Sequence, residues 1–228
     1  MKVTPQRPKE TGREYALRIL EDNIIHLNLP PGSMVSENEL SAQLGLSRTP
    51  VREALIKLSK VDIVQIVPQR GSQISYIDPS LVEQAYFMRS TLECEALGIA
   101  IDALTEADIF ALASCIAEQK HFCQTGGEGT DVSFMSLDNQ FHEKIFAIAQ
   151  KPMVYRIIQE LAIHFDRIRH MTIHYMTPPE ILAQHEAIYE AMKARDKEKA
   201  VETMRIHLGK FKDIEAELRK TYPDYFLK

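Results

Sequence analysis

LSRTPVREAL, residues 46–55, is the stretch of sequence that decides the fold. It begins with a helix N-cap candidate, Ser47, and places Pro50 inside the first turn, where its missing N–H costs nothing. Arg48 and Arg52 are four residues apart, so they lie on the same helix face. Two arginines near the positive end of a helix oppose its dipole, and a purely structural helix does not favour them there. The stretch therefore predicts a helix that presents positive charge to an anion, with a solvated basic face as the open alternative.

The elements around this stretch predict a winged helix-turn-helix. Ser36 and Glu39 have the S-x-x-E spacing of a capping box, and the short helix that they begin ends near Gly45. A β-rich run, a turn over Pro68-Gln69-Arg70-Gly71 and a second alternating run predict a hairpin. The predicted elements are, in order, helices over about 10–28, 36–45 and 47–60 and strands over 63–67 and 72–76.

Beyond Asp78-Pro79 the sequence has no further strand signal and predicts only helices. Glycines and prolines fall at the breaks, and Thr105, Asp131 and Thr177 are helix-start candidates. The six predicted helices cover about 80–101, 106–124, 131–149, 152–176, 178–194 and 197–220. The predicted fold class is mainly α, with an N-terminal winged helix-turn-helix followed by an antiparallel all-α six-helix bundle.

The predicted domain organisation has four parts. They are a flexible N-terminus over 1–9, a winged helix-turn-helix domain over 10–76, a linker over 77–80 and an all-helical domain over 81–228. The first 76 residues carry 10 Lys+Arg against 8 Asp+Glu, whereas the rest carry 17 against 24. Positive charge is therefore concentrated in the segment that is predicted to meet a polyanion.

Composition narrows the class of protein. The 228 residues are 45% hydrophobic and 26% charged, which is ordinary for a soluble globular chain. No apolar run approaches the roughly 20 residues that a membrane helix needs, so we expect no membrane partner. The N-terminus lacks the apolar core of a secretory signal, and the three cysteines lack C-x-x-C spacing. We therefore expect a cytoplasmic protein with reduced, buried thiols.

The predicted third helix carries the residue types that read DNA. A helix that enters the major groove uses its N-terminal residues on base edges and phosphates. Arg48 and Arg52 suit the guanine O6/N7 pair, whereas Ser47 and Thr49 suit phosphate oxygens. The sequence thus predicts a double-stranded DNA partner.

The segment LPPGSMVSENELSAQLGLSRTPVREALIKLSKVDIVQIVPQRGSQIS resembles the DNA-binding domain of the GntR family of bacterial transcription regulators. The matching motifs are L-x-P-G, S-E-x-E-L, L-G-x-S-R-T-P-V-R-E-A-L and P-x-R-G. The resemblance implies that Arg48, Thr49 and Arg52 contact DNA, and that Arg70 and Gly71 at the wing tip reach an adjacent groove.

Two residues depart from the family pattern. Asn38 stands where relatives often place a basic residue that touches DNA, which puts the strength or base preference of that contact in doubt. Asp62 replaces the usual glycine after the recognition helix. Because Asp tolerates left-handed geometry, we expect the turn to survive.

Four residues of the predicted bundle form a candidate metal site. Asp138 and His142 are four apart and share a helix face, and His185 and His207 lie on two further predicted helices. One carboxylate and three imidazoles suit Zn²⁺, with Ni²⁺ or Mn²⁺ as alternatives, and leave positions open for water or a ligand. Spacing alone leaves open that each histidine is a hydrogen-bonded core residue.

The same residues, together with Arg89-x-x-Leu92-Glu93, look like the FCD effector domain of the FadR subfamily, and six helices favour its VanR-like branch. The resemblance implies that Asp138, His142, His185 and His207 are metal ligands and that Arg89 meets a carboxylate effector. A bidentate arginine–carboxylate pair is a sound physical basis for that role. A helix-surface pair of Arg89 with Glu93 is the open alternative.

The sequence as a whole predicts a homodimeric repressor that reads an inverted repeat and is controlled by a small organic acid. One alternative is the same regulator with a metal-free domain that binds an acyl ligand. Another is a metal-dependent hydrolase, since a metal with an open position can activate water. Against the hydrolase, the sequence has no H-E-x-x-H, and Glu143 beside His142 should point about 100° away around its helix.

Overall fold

The computed structural model describes residues 1–128, 133–172 and 175–227. Its contacts divide the chain into two compact units. The first comprises Met1–Gln84, Glu160–Met171 and Glu215–Lys228, and the second comprises Ala85–Gln159 and Thr172–Ile214. The domain boundaries drawn from the sequence remain predictions. They place residues 160–171 and 215–228 in the helical domain, whereas the contacts group both segments with the N-terminal segment.

The first unit contains a winged helix-turn-helix, as predicted. Its elements are α1 (Gly12–Ile25), β1 (Met34–Val35), α2 (Glu37–Leu44), α3 (Arg48–Ser59), β2 (Val64–Val67) and β3 (Gly71–Ile74). The strands form an antiparallel sheet in the order β1-β3-β2, with Met34 opposite Gln73 and Val64 opposite Ile74. Strand β1 was not predicted, because two residues are too few to show an alternating pattern.

Local chemistry sets the helix boundaries in this unit. Thr11 and Glu14 form a capping box at the start of α1, and the Ser36 side chain accepts the Glu39 N–H at the start of α2. Helix α2 ends at Gly45, which has a left-handed φ of 66°. The apolar faces of the three helices pack on one core whose members include Ile19, Leu20, Leu40, Val51, Leu55, Leu58 and Ile63.

Two distant segments complete the first unit. Ile163 packs into its core, and the buried side chains of His164 and Arg167 bond the backbone carbonyls of Val61 and Ser75 at 2.6 and 2.7 Å. The segment near the C-terminus pairs with Ile77, which forms a parallel bridge with Phe226. Residues 1–9, predicted to be flexible, also bond to α1, for example through Lys2 N–H to Asn23 Oδ1 at 2.6 Å.

The helical elements of the remaining chain are α4 (Pro79–Ala103), α5 (Glu106–Thr125), α6 (Phe134–Ile148), α7 (Pro152–Thr172), α8 (Pro178–Lys193), α9 (Lys197–Gly209), a 3₁₀ helix (Lys210–Asp213) and α10 (Glu215–Thr221). The six long helices agree with the predicted fold class. Helix α6 is capped by Ser133, whose side chain accepts the Ser136 N–H, and the predicted start at Asp131 lies outside the described residues.

The last predicted helix, 197–220, is not continuous. It stops at Gly209, a poor helix former, and a 3₁₀ turn separates it from α10. The tighter turn carries Phe211 into the interior, where its ring lies 5.3 Å from that of Tyr86. Helix α7 is described as far as Thr172, and residues 175 and 176, inside the predicted helix, form a turn and a bend; residues 173–174 lie outside the described residues.

The second unit is held by one apolar core to which all its long helices contribute. Fully buried members include Leu97, Leu112, Phe141, Ile158, Ile188 and Met204. The polar side chains described below lie among these residues, in a space from which water is largely excluded.

The wing tip yields a prediction about stability. Gly71 has a φ of +107°, and a Cβ there would lie 2.6 Å from the Val35 carbonyl oxygen of β1. We expect Gly71→Ala to lower the free energy of unfolding by about 2–3 kcal/mol, measured by urea unfolding. Gly45→Ala is the matched control, because Gly45 has a φ of +66° but nothing within 4 Å, so it should lose only about 1 kcal/mol. Equal losses would show that the contact with β1 is unimportant.

Candidate DNA interface and metal centre

Helix α3 presents one basic face and buries the other. Val51, Leu55 and Leu58 are buried in the core, whereas Arg48 and Arg52 each leave 69% of their side chains exposed. Ser47 and Thr49 are exposed at the start of the same helix. Ser47 has the extended backbone of an N-cap, but its side chain makes no capping hydrogen bond. The Ser47 hydroxyl therefore does not cap its own helix.

A groove of about 450 Å³ lies between this helix, α2 and the wing. It brings together Asn38, Arg48, Arg52 and Gly71, whereas Ser47, Thr49 and Arg70 are not in its lining. Asn38 and Arg70 are both exposed. The turn after α3 keeps its shape, since Asp62 adopts a φ of +58°.

Sequence reasoning missed Glu37 in this groove. Its two carboxylate oxygens lie 4.0 and 3.8 Å from the Nε atoms of Arg48 and Arg52. Its place in the S-E-x-E-L motif was visible, but the motif is most simply explained by helix capping. Exposed pairs at such distances contribute at most about 1 kcal/mol, so the two arginines are only weakly held.

In the second unit, helices α6, α8 and α9 bring the four predicted metal ligands together. Asp138, His142, His185 and His207 each offer a ligand atom, and these atoms all lie within 4.8 Å of one another. The Nε2 atom of His207 is 3.2 Å from that of His142 and 3.3 Å from that of His185. Asp138 lies close by, with Oδ2 at 3.7 Å from His142 Nε2 and Oδ1 at 3.5 Å from His185 Nε2.

A second layer of acceptors orients each imidazole. His142 Nδ1 faces Glu93 Oε2 at 2.5 Å, and His185 Nδ1 faces Gln119 Oε1 at 2.8 Å. His207 Nδ1 faces Gln184 Oε1 at 2.7 Å. An imidazole that donates from Nδ1 keeps its lone pair on Nε2, so the three Nε2 lone pairs point at one another.

This donor set fits a divalent metal. Facing lone pairs at 3.2–3.3 Å repel each other unless a proton or a metal ion lies between them. Tetrahedral zinc with bonds of about 2.0–2.1 Å keeps its nitrogen ligands about 3.3 Å apart. Hydrogen-bonded acceptors on the far nitrogens are the usual outer layer of such a site. The interpretation of each histidine as an isolated core residue does not account for this convergence.

Burial and neighbouring charge shift two groups at the site. Burial, with smaller contributions from His185 and His142, holds the pKa of His207 well below its usual value. Burial alone would raise the pKa of Glu93, but the charge of Arg89 and hydrogen bonds from His142 and Arg89 lower it to about 2. His207 is therefore neutral and Glu93 ionised at neutral pH, the states that metal coordination and second-layer support require.

Arg89 lies beside this site rather than on a helix surface. Its side chain is 2% exposed, and its Nε donates to Glu93 Oε1 at 2.5 Å. The pair with Glu93 that the sequence left open is therefore formed, but in the interior. The Arg89 charge also contributes to the lowered pKa of His207, which is consistent with a position near the ligand set.

Comparison with known proteins now identifies the chain. Residues 14–74 match the bacterial regulatory proteins of the gntR family, and residues 84–210 match the FCD domain. The chain belongs to the GntR family. It is a bacterial DNA-binding transcription regulator with an FCD effector domain, in a family of regulators rather than enzymes.

Relatives align over nearly the whole chain. The HTH-type transcriptional repressor RspR of Escherichia coli (strain K12) is 32% identical over 224 residues, 98% of this chain and 97% of RspR. An uncharacterised HTH-type transcriptional regulator in an unstable DNA locus of Streptomyces ambofaciens is 34% identical over 219 residues, covering 95% and 90% of the two chains.

Solved structures share the fold. E. coli McbR/YncC superposes with a TM-score of 0.74 at 22% identity, covering 93% of this chain and 99% of that one. A putative transcriptional regulator GntR from Rhodococcus sp. RHA1 gives a TM-score of 0.68 at 22% identity, covering 92% and 98%. In the described part of the chain, no helix has the length and apolar character to cross a bilayer.

The second layer yields a prediction about the bundle. Gln119 is fully buried, accepts from His185 and donates Nε2–H to the Leu137 carbonyl at 3.2 Å. Gln119→Leu leaves both partners buried without a hydrogen bond, so we expect a loss of about 1–3 kcal/mol in the free energy of unfolding of metal-free protein. Gln124→Leu, an exposed position on the same helix, should change it little. Equal stability of the two variants would contradict the proposed orientation of His185.

Proposed function

We propose that this regulator is a homodimeric repressor that binds an inverted repeat and is released by a small organic acid, sensed at a metal centre in the FCD domain. The convergence of three imidazole Nε2 atoms and one carboxylate is the observation that carries the sensing part of this proposal. The name of RspR, a repressor 32% identical over nearly its whole length, supports the direction of control.

The DNA-binding part of the proposal rests on the exposed start of α3. Arg48 and Arg52 would read guanine edges in the major groove, and Ser47 and Thr49 would bond phosphates. In a two-fold dimer, the two recognition helices meet matching half-sites, which is why we expect an inverted repeat.

Three further residues have proposed contacts around α3. Asn38, exposed on α2, lines the groove beside the arginines and would add an uncharged contact. Arg70 and Gly71 at the wing tip would approach a neighbouring groove, where the absent side chain of Gly71 allows a close backbone approach.

Asp138, His142, His185 and His207 would hold the metal, with zinc as the best match to three nitrogens and one oxygen, and nickel or manganese as alternatives. A bound divalent cation supplies an electrostatic and Lewis-acid site for a carboxylate. The chain's own contribution is to fix the ligands through Glu93, Gln119 and Gln184 and to exclude water.

The effector would place its carboxylate between the metal and Arg89. Binding must favour the form with low DNA affinity, because a ligand shifts an equilibrium only by its differential affinity for the two forms. A preference of about 100-fold, equivalent to about 2.7 kcal/mol, is enough for a strong response.

The hydrolase alternative has little support from the geometry. Glu143, the acid next to His142, is exposed, whereas Asp138 and His142 on the same helix are buried. The metal-free acyl-binding alternative predicts a different result: elemental analysis of protein purified without chelators would find no stoichiometric metal.

Arg52→Ala tests the DNA interface. We expect a loss of about 1–3 kcal/mol in operator binding at physiological salt, with the fold intact, because a side chain that bonds a base edge contributes about this much. Arg156→Ala is the matched control, since Arg156 is exposed on α7 in the second unit. If operator affinity falls equally in both variants, the loss comes from the change in net charge and not from a specific contact of Arg52.

His185→Ala tests the metal centre. We expect a lower metal-to-protein ratio by elemental analysis, together with a weakened effector response in a DNA-binding assay. His121→Ala, an exposed histidine on α5, should leave both unchanged. Wild-type metal stoichiometry in His185→Ala would exclude His185 as a ligand, and absence of metal from the wild type would favour the acyl-binding alternative.

A further inference from the structure

Glu37 lies between the two arginines of α3, although its charge opposes a polyanion. It is the first residue of α2, and 33% of its side chain is exposed. Oε2 lies 4.0 Å from Arg48 Nε, and Oε1 lies 3.8 Å from Arg52 Nε, so each oxygen serves a different arginine. All three residues line the groove between α2, α3 and the wing. A carboxylate there lowers the attraction of the groove for DNA of any sequence, so its presence needs another explanation.

Helix capping alone does not explain the place of Glu37. Ser36 accepts the Glu39 N–H, and both Glu37 and Glu39 lie in the first turn of α2, where a negative charge stabilises a helix. Glu39 is exposed and is not in the lining of the groove, so the helix end has an acid outside the DNA-facing surface. What distinguishes Glu37 from Glu39 is its contact with Arg48 and Arg52.

The two arginines have two kinds of partner on a duplex. A phosphate oxygen binds an arginine on any sequence, whereas guanine O6 and N7 bind the forked edge of a guanidinium only where a guanine is present. Glu37 approaches the Nε atom of each arginine, so the two terminal nitrogens remain for a guanine edge. A phosphate that approaches the same guanidinium meets the charge of Glu37, whereas a base edge carries no net charge. The carboxylate therefore weakens phosphate contacts more than base contacts.

A shared carboxylate also couples Arg48 to Arg52. These like charges lie one helical turn apart and repel each other at that spacing. Because 69% of each arginine side chain is exposed, packing does little to fix its direction, and an ion pair with Glu37 restricts it. A side chain that is restricted before binding loses less conformational entropy when it meets its base.

We propose that Glu37 is a positioning residue that makes DNA binding selective: it lowers affinity for duplexes of any sequence and raises the preference for guanine at the bases that Arg48 and Arg52 meet. This inference rests on the DNA interface of the proposed function, which assigns the arginines to base edges. It goes beyond that interface, because it assigns sequence discrimination to an acidic residue on α2 that acts through the two arginines.

Glu37→Gln is the decisive variant, since an amide of the same size removes the charge and both ion pairs. Full-length wild-type protein is first selected on random duplexes of about 40 base pairs, long enough for two half-sites. The probes are the most enriched duplex and a shuffled version of it with the same composition. We expect Glu37→Gln to bind the shuffled duplex about three- to fivefold more tightly, the scale of one exposed ion pair, without a gain on the selected duplex. The ratio of the two dissociation constants should therefore fall about threefold or more.

Glu39→Gln is the matched control, because it removes the same charge from the same turn of α2 at a position outside the groove lining. Its effect on net charge should tighten both duplexes alike and leave the ratio as in the wild type. An equal fall of the ratio in the two variants would overturn the inference, since the effect would then belong to net charge. An unchanged ratio in Glu37→Gln would overturn it as well.

Base preference separates positioning from a structural role. Selection is repeated with Glu37→Gln, Arg52→Ala and the double variant, and guanine frequency is compared at each position of the selected site. At the position whose guanine preference Arg52→Ala abolishes, Glu37→Gln should lower that preference about threefold, and it should add nothing in the Arg52→Ala background. A carboxylate that merely stabilised α2 would change affinity without changing base preference, and that result would contradict the assignment.

The same data test the proposed DNA interface separately. If Arg48→Ala and Arg52→Ala leave affinity for the selected duplex and its guanine preferences unchanged, the assignment of these arginines to bases fails, and the role of Glu37 fails with it. If the arginine variants lose guanine preference but Glu37→Gln retains the wild-type ratio and preference, only the role of Glu37 fails.

Discussion

Three imidazole nitrogens converge in the interior of the second unit, with His207 Nε2 at 3.2 Å from His142 Nε2 and at 3.3 Å from His185 Nε2. They come from α6, α8 and α9, and each ring is turned inward by an acceptor on its far side. In the tautomers that these acceptors favour, the Nε2 lone pairs face one another, and a proton or a metal ion between them would relieve their repulsion. The packing of Phe141, Ile188 and Met204 would therefore be coupled to a metal bound at this cluster, because the same helices carry the apolar residues and the candidate ligands.

Sequence reasoning predicted the four candidate ligands that the structure brings together, because each carries a local signal. Asp138 and His142 share a helix face by spacing, and the order of the later histidines matches the resemblance to an FCD domain. Gln119 carried no such signal, since nothing in its own helix marks a glutamine as the partner of a residue 66 positions away. Glu93 was noticed only as a neighbour of Arg89, because spacing cannot show that its second oxygen faces His142.

For the fold as well, the local elements were predictable from the sequence. The capping-box spacing of Ser36 and Glu39, the N-cap candidate Ser47 and the hairpin pattern predicted the winged helix-turn-helix, and the breaks at glycine and proline predicted the long helices. Long-range pairing was not predictable: β1 is two residues long, and His164 and Arg167 lie about a hundred residues from the carbonyls that they bond. These two side chains contact Val61 and Ser75, which flank the hairpin of β2 and β3. Burial lowers the pKa of Arg167 to about 10, a cost that its bond to Ser75 partly offsets.

Two arginine–glutamate contacts in this chain show how burial decides function. Glu37 lies 3.8–4.0 Å from Arg48 and Arg52 in solvent, where such pairs contribute little and are screened by salt. The arginines can therefore exchange Glu37 for another anion at small cost, which suits reversible contact with DNA. Glu93 and Arg89 are paired in the interior, where breaking an ion pair is much more costly than in solvent. That pair is consequently a fixed part of the candidate site.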